Sequence, residues 1–128
     1  MIFKILEPYY KVCRVGSWLS WIFSFGVGSI ILDLPMFDRV TIIFFAFSFA
    51  TASIFILNQY FDRKADKKNK VKSALPIASE QISPRDALVF SSLLIILSFI
   101  LVFMIDISIW PLFIIYLGLW TAYSAPPT

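Results

Sequence analysis

Long runs without a single charged residue dominate the pattern of apolar and polar positions along the chain. They lie at residues 15–32, 40–61, 87–105 and 107–128. Each run is close to the ~20 residues that an α-helix needs to cross a hydrocarbon core of ~30 Å. The pattern therefore predicts an all-α fold, a transmembrane helical bundle of about four spans, in a single integral membrane domain over residues 1–128.

The composition supports a membrane protein and excludes several kinds of site. The chain is 59% hydrophobic and 15% charged, whereas soluble domains are nearer half apolar and one quarter charged. It contains no histidine and one cysteine, Cys13, which excludes histidine-based catalysis, His-ligated zinc and an internal disulfide. The first apolar run lies too far from Met1, and lacks the small-residue cleavage site, to be a signal peptide.

Cations are concentrated in two parts of the sequence. Of the 11 Lys and Arg residues, all except Arg39 lie at the N-terminus or in the loop 63–85. The positive-inside rule therefore predicts that the N-terminus, this loop and the C-terminus are cytoplasmic. In the simplest interpretation the basic loop only sets this orientation and contacts anionic lipid.

The N-terminal 14 residues mix apolar side chains with Lys4, Glu7, Lys11 and Arg14. Such a mixture is typical of a short segment that lies along the headgroups before the chain enters the bilayer. The segment is then an anchor whose cations reach up to the headgroups. Alternatively, Arg14 faces a cavity at the base of the first span.

Local signals within the apolar runs predict one packing contact and one helix start. Small residues at helical spacing let membrane helices approach closely, so we expect the first span to pack inside the bundle. These small residues are Gly16, Ser17, Ser20, Ser24, Gly26, Gly28 and Ser29. Before the third run, Ser83 is a good N-cap and Pro84 suits the first helical position.

A strip of oxygen-bearing side chains is predicted where the second apolar run meets the basic loop. Asn58, Asp62 and Asp66 are each four residues apart. Four residues turn an α-helix by about 400°, so the three side chains lie along one face, ~6 Å apart. Carboxylate and amide oxygens suit Mg²⁺, which prefers one or two carboxylates together with phosphate oxygens from a substrate. The strip therefore predicts half of a metal–phosphate site.

This strip, the basic segment after it and two further sequences resemble the UbiA superfamily of intramembrane prenyltransferases. The two sequences are Ile-Ser-Pro-Arg-Asp-Ala-Leu at 82–88 and Tyr-Ser-Ala-Pro-Pro at 123–127. The resemblance implies the N-terminal part of a nine-helix membrane fold. It also implies Mg²⁺-dependent transfer of a prenyl group from a prenyl diphosphate to an acceptor. Aromatic rings, glycerol phosphate lipids, sugar phosphates and haem remain open as acceptors.

The same resemblance assigns roles to residues. Asn58, Asp62 and Asp66 would bind Mg²⁺ and the diphosphate, with the two aspartates as the catalytic residues. Lys70, Lys72 and Arg14 are further candidates for binding the substrate. The expected partners are thus a prenyl diphosphate, the lipid bilayer and an acceptor, and no nucleic acid.

The sequence departs from the family pattern in two respects. Many members have Arg-Pro before Leu-Pro and a glycine before Ile-Ser, whereas residues 72–83 read Lys-Ser-Ala-Leu-Pro-Ile-Ala-Ser-Glu-Gln-Ile-Ser. A second Asp-rich motif does not occur in these 128 residues. The chain would then be part of a longer protein, a half that pairs with another copy or chain, or a protein that has lost catalysis. We favour the first, and expect residues 1–128 alone to show little prenyl transfer, because two metal clamps are needed to neutralise a leaving diphosphate.

A non-catalytic membrane anchor or scaffold with a polybasic cytoplasmic loop is the alternative function. In that case Asp62 and Asp66 only form ion pairs with Arg63, Lys67 and Lys70, each worth ~0.2–0.5 kcal/mol at helical spacing. Ion pairing gives no reason for an amide at Asn58, one turn earlier on the same face. Binding of a prenyl diphosphate that depends on Mg²⁺ would favour the transferase, and binding to anionic vesicles regardless of Mg²⁺ would favour the scaffold.

The predicted topology can be tested with single cysteines at Lys68 and at Ser108. If the basic loop is cytoplasmic, membrane-impermeant thiol reagents should label these two positions from opposite sides of the membrane. Labelling of both positions from one side would contradict the topology.

Overall fold

The computed structural model describes residues 1–31, 37–105, 108 and 110–124. In these ranges the protein is helical, with connecting turns and no β-strand. The α-helices are α1 (Ile2–Val12), α2 (Trp18–Ile31), α3 (Phe37–Asp66), α4 (Pro84–Ile105) and α5 (Trp110–Ser124). Short 3₁₀ segments cover Val15–Ser17 and Lys72–Ala74. The predicted all-α fold is confirmed.

The four apolar runs correspond to α2, α3, α4 and α5. The segments Arg39–Asp66 and Pro84–Ile105 are long and apolar enough to cross a membrane, which is consistent with a helical membrane bundle. The helices of the predicted first and fourth spans are shorter than their runs, at 14 and 15 residues within the described ranges. Between these runs, residues 33–36 and Asp106 lie outside the described residues.

Helices α3 and α4 pack closely through serine hydroxyl groups. The Ser53 and Ser91 hydroxyl oxygens are 2.6 Å apart, and Ser98 Oγ donates to the Ala46 carbonyl at 2.8 Å. The second contact lies seven positions earlier on α3 and seven later on α4, so the helices are antiparallel. Small side chains let membrane helices approach closely, and their hydroxyls then reach backbone carbonyls of the partner.

Helix α2 contacts α3, where the rings of Trp18 and Phe49 meet with their centroids 6.1 Å apart. A Cβ atom built at Gly16, Gly26 or Gly28 would meet no neighbouring atom within 4 Å, and Ser20 and Ser24 are exposed. The first span thus contacts α3, and its packing inside a larger bundle stays a prediction. Small residues permit a close approach, but the partner helix decides where it occurs, and here the serine-mediated contact joins α3 and α4.

The loop between α3 and α4 folds back onto the helices. Helix α4 starts as predicted, with Pro84 as its first residue and the Asp86 backbone N–H donating to Ser83 Oγ at 3.0 Å. In the loop, Ile77 and Ile82 are buried in one apolar cluster with residues of α3 and α4. These apolar anchors hold the cationic loop beside the end of α3.

The C-terminal end of α1 packs against the same cluster. Val12 and Cys13 are buried there, and the rings of Tyr9 and Phe90 meet edge to face with centroids 5.1 Å apart. Other apolar side chains of α1 remain exposed on the described structure. They are Ile2, Phe3, Ile5, Leu6 and Tyr10. An exposed apolar surface with interspersed cations is typical of a helix that lies in the headgroup region.

Helix α5 packs against the middle of α3 through aromatic contacts. Phe113 is fully buried, and its ring meets those of Phe47 and Phe99 edge to face. One turn further along, the hydroxyl groups of Tyr116 and Thr51 form a hydrogen bond. This hydrogen bond sets the position of α5 along the axis of α3.

The α3–α4 contact can be tested by enlarging one serine. Ser91→Leu should lower the free energy of unfolding by about 1–3 kcal/mol, because it inserts apolar volume into a close helix contact. Ser92→Leu is the matched control, because Ser92 is exposed and its hydroxyl bonds only within α4, to the Leu88 carbonyl. That change should stay within about 0.5 kcal/mol. Unfolding in detergent measures both, and equal losses would contradict the packing.

The buried cysteine allows a second test. Cys13 is 7% exposed, and burial raises the pKa of its thiol to about 11. Since the thiolate is the reactive form, maleimide at pH 7.5 should label Cys13 at least about tenfold more slowly than an exposed thiol. Ser17→Cys in a Cys13→Ser background supplies that exposed thiol. Equal labelling rates in the folded state would contradict the burial.

Candidate functional site

The strip of oxygen-bearing side chains lies on the last turns of α3. The helix is continuous through Asp66, its final residue, so the four-residue spacing places Asn58, Asp62 and Asp66 on one face. Asn58 and Asp62 are partly exposed, while Asp66 is only 6% exposed. The strip thus runs from a buried carboxylate at the helix end to an amide about two turns back.

Lys72 is brought back to the strip by the turn that follows α3. Asn69 Oδ1 accepts hydrogen bonds from the backbone N–H groups of Val71 and Lys72, at 2.9 and 3.3 Å. This turn leaves Lys72 Nζ 3.7 Å from Asp66 Oδ1. The lysine side chain is 58% exposed, so the pair contributes under ~1 kcal/mol and can open to admit an anion.

Arg63 and Lys67 of the loop have partners other than the strip. The Arg63 guanidinium lies 4.2 Å from the Tyr60 ring centroid and donates to the Tyr60 carbonyl. Lys67 Nζ donates to Glu80 Oε1 at 2.6 Å, and this hydrogen bond lowers the pKa of Glu80. The Lys70 side chain is exposed. In the described structure neither aspartate forms an ion pair with any of these three cations, contrary to the scaffold interpretation.

Arg14 and Asn58 line the same cavity. Arg14 follows the end of α1, and its guanidinium carbon lies 5.0 Å from the centroid of the Phe55 ring, a cation–π distance. Phe55 precedes Asn58 by one helical turn, so α3 holds both beside the arginine. The cavity has a volume of about 510 Å³, within the range typical of small-molecule sites. Its lining residues are Arg14, Ile54, Phe55, Asn58, Leu119, Trp120 and Tyr123.

The walls of this cavity are formed by α3 and α5, which run in the same direction. The hydrogen bond between Thr51 and Tyr116 joins the two helices about one turn before Phe55 and Trp120. The lining residues recur at equal offsets from this bond, as Phe55 with Trp120 and Asn58 with Tyr123. Seven residues of helix rise place Asn58 ~10 Å beyond the Thr51–Tyr116 bond. The cavity is therefore polar at its Asn58 and Arg14 end and mainly apolar towards the bond.

The donor set on α3 fits a hard divalent cation that a ligand also coordinates. No group of three or more His, Cys, Asp or Glu side chains in the described ranges is arranged to hold a metal ion by itself. Two carboxylates and an amide supply only part of a coordination shell, and phosphate oxygens suit the remainder. Among the described residues Asp62 forms no ion pair, so its carboxylate is available to a cation.

Several cavity residues were not predicted as site residues from the sequence. Among them Leu119, Trp120 and Tyr123 belong to α5. Helix α5 is apolar on all sides, so its sequence carries no signal for the face that meets α3. Residues 125–127 of the Tyr-Ser-Ala-Pro-Pro sequence lie outside the described residues.

Comparison with known proteins identifies the family of the chain. Residues 17–127 match the model of the UbiA prenyltransferase family, well over half of the sequence. Neither a comparison with curated proteins nor one with solved structures gives a significant match. The matched region contains α2 to α5, the oxygen-bearing strip and the basic loop. This helical membrane protein therefore belongs to the UbiA prenyltransferase family.

Proposed function

We propose that this protein binds a prenyl diphosphate through Mg²⁺ at Asn58, Asp62 and Asp66 and transfers the prenyl group to an acceptor. Family membership supports a prenyltransferase-like function. Binding of a prenyl diphosphate in particular is supported by the cavity. It is polar at Arg14 and Asn58 and lined elsewhere mainly by apolar and aromatic side chains. A ligand with an anionic head and an apolar tail matches this distribution.

The strip and the nearby cations have complementary roles in binding the diphosphate. Asp62 and Asp66 provide the negative charge and the oxygen ligands for the cation, and Asn58 provides a neutral oxygen. Lys72 lies beside Asp66 and is mostly exposed, so it can turn to a phosphate oxygen. Arg14 and Lys70 are the further cationic candidates in this proposal, Arg14 at the cavity and Lys70 on the exposed loop.

In the proposed reaction the allylic C–O bond of the prenyl diphosphate breaks and the diphosphate leaves with the electron pair. The acceptor then captures the allylic carbocation. Bound Mg²⁺ would neutralise charge on the leaving group. Phe55 and Trp120 present aromatic rings to the cavity, where π-faces favour a nearby positive charge. The apolar wall also limits access of water, which would otherwise capture the carbocation.

We also propose that the N-terminus, the loop 63–85 and the C-terminus are cytoplasmic, and that residues 1–128 act as one membrane domain. Helix α3 has 30 residues and is ~45 Å long, longer than a hydrocarbon core of ~30 Å. The cation-rich loop follows its C-terminal end, which the positive-inside rule places in the cytoplasm. The strip would then lie at the membrane–water boundary, so that a diphosphate stays hydrated while its tail enters the apolar cavity.

Asp62→Asn and Asp66→Asn should each weaken Mg²⁺-dependent binding of farnesyl or geranylgeranyl diphosphate by at least about tenfold. The amide keeps the size and hydrogen-bonding capacity of the side chain but cannot neutralise the charge of the metal. The measurement is binding to the full-length protein in lipid nanodiscs, with and without Mg²⁺.

Asp86→Asn is the matched control for this experiment. Asp86 is an exposed carboxylate at the start of α4, so its loss changes the net charge equally without altering the strip. Its affinity for the prenyl diphosphate should equal that of the wild type. Equal affinities of the wild type and both strip variants, with the fold intact, would contradict the proposed metal site. The scaffold function would then be the better account.

A further inference from the structure

We infer that Gln59 and Trp18 are positioning residues that hold the turn carrying Arg14, so that its guanidinium lies at the cavity shared with Asn58. This inference rests on the proposed function, in which Arg14 contacts the anionic head of the substrate. The backbone conformation of Arg14, two side chain–backbone hydrogen bonds and one orphaned amide oxygen support it.

Arg14 has an unusual backbone conformation. Its φ and ψ are 52° and 42°, in the left-handed region, which is unfavourable for a residue with a Cβ atom. The residue lies between the end of α1 and the Val15–Ser17 segment, where its carbonyl accepts from the Ser17 N–H at 2.8 Å. Such conformations persist where the surrounding structure holds them, and they cluster at functional sites.

Two side chains bind the carbonyl groups immediately before Arg14. Gln59 Nε2 donates to the Val12 carbonyl at 3.4 Å, and Trp18 Nε1 donates to the Cys13 carbonyl at 3.2 Å. Carbonyls in the last turn of an α-helix lack partners within the helix. One bond comes from α3 and the other from α2, so the end of α1 is held from two sides.

Burying the Gln59 amide is energetically unfavourable if the side chain only packs against its neighbours. It is 8% exposed, and its Oε1 has no hydrogen-bond partner in the described structure. A buried amide with an unmade hydrogen bond is destabilising, whereas an apolar side chain of similar size would avoid that penalty. The bond to the Val12 carbonyl gives a physical reason for an amide at this position.

Gln59 also links the Arg14 turn to the strip. It follows Asn58 directly on α3, and successive residues of an α-helix point ~100° apart. The helix can therefore direct Asn58 into the cavity and Gln59 towards the end of α1. Arg14 itself is exposed and forms no ion pair with the described residues. Its orientation over Phe55 depends on the turn that carries it.

Gln59→Leu and Trp18→Phe test the inference. The first removes the amide and keeps the volume; the second removes the indole N–H and keeps an aromatic ring against Phe49. Binding of geranylgeranyl diphosphate with Mg²⁺ is measured on the full-length protein in nanodiscs. We expect Arg14→Gln to weaken binding about tenfold, and each positioning variant about threefold to tenfold. In an Arg14→Gln background, Gln59→Leu and Trp18→Phe should have no further effect, because both act through Arg14.

Other outcomes separate failure of this inference from failure of the proposed function. If the positioning variants weaken binding equally with and without Arg14, their role is only structural and the inference is wrong. It is also wrong if Arg14→Gln weakens binding while both positioning variants bind as the wild type. No effect of Arg14→Gln would remove Arg14 from the site and the inference with it. Absence of Mg²⁺-dependent binding by the wild type would overturn the proposed function itself. Should Gln59→Leu not fold, Trp18→Phe alone carries the same comparison.

Discussion

The close antiparallel contact between α3 and α4 is the constraint on which the other features depend. In a bilayer the hydrophobic effect does not drive helices together, so association relies on close packing and interhelical hydrogen bonds. Ser53, Ser91 and Ser98 supply both, because they are small and their hydroxyls reach the backbone of the opposite helix. This contact uses one face of α3 and leaves other faces available for α1 and α5.

The candidate site arises where these remaining faces of α3 meet their neighbours. Towards α5, Phe55 and Asn58 line a cavity whose lower limit is set by the Thr51–Tyr116 hydrogen bond. Towards α1, Gln59 bonds to the end of the helix that carries Arg14. A single helix thus orients the apolar wall, the polar end of the cavity and the carboxylate strip.

The cations of the loop after α3 have different partners, and this arrangement favours ligand binding at the strip. Lys67 is paired with Glu80, and Arg63 lies on the Tyr60 ring. Lys72 is the loop cation that contacts the strip, through Asp66. Because Ile77 and Ile82 anchor the loop in the apolar cluster, Lys72 is held near the strip without depending on this weak ion pair. Under the proposed function, a diphosphate would meet a cation already close to the oxygen-bearing strip.

The all-α class, the start of α4 at Pro84 and the one-sided strip at Asn58, Asp62 and Asp66 follow from the sequence by itself. They depend on local properties, namely runs of apolar residues, an N-cap serine and the period of the α-helix. Family resemblance was likewise readable from short motifs. The contacts between particular helix faces were not. Which face of a uniformly apolar helix meets which neighbour is decided by packing among all the helices, and no local pattern encodes it. For that reason only the tertiary structure placed Trp120 in the cavity wall and gave Gln59 a partner at the end of α1, whereas family resemblance had already grouped Arg14 with Asn58.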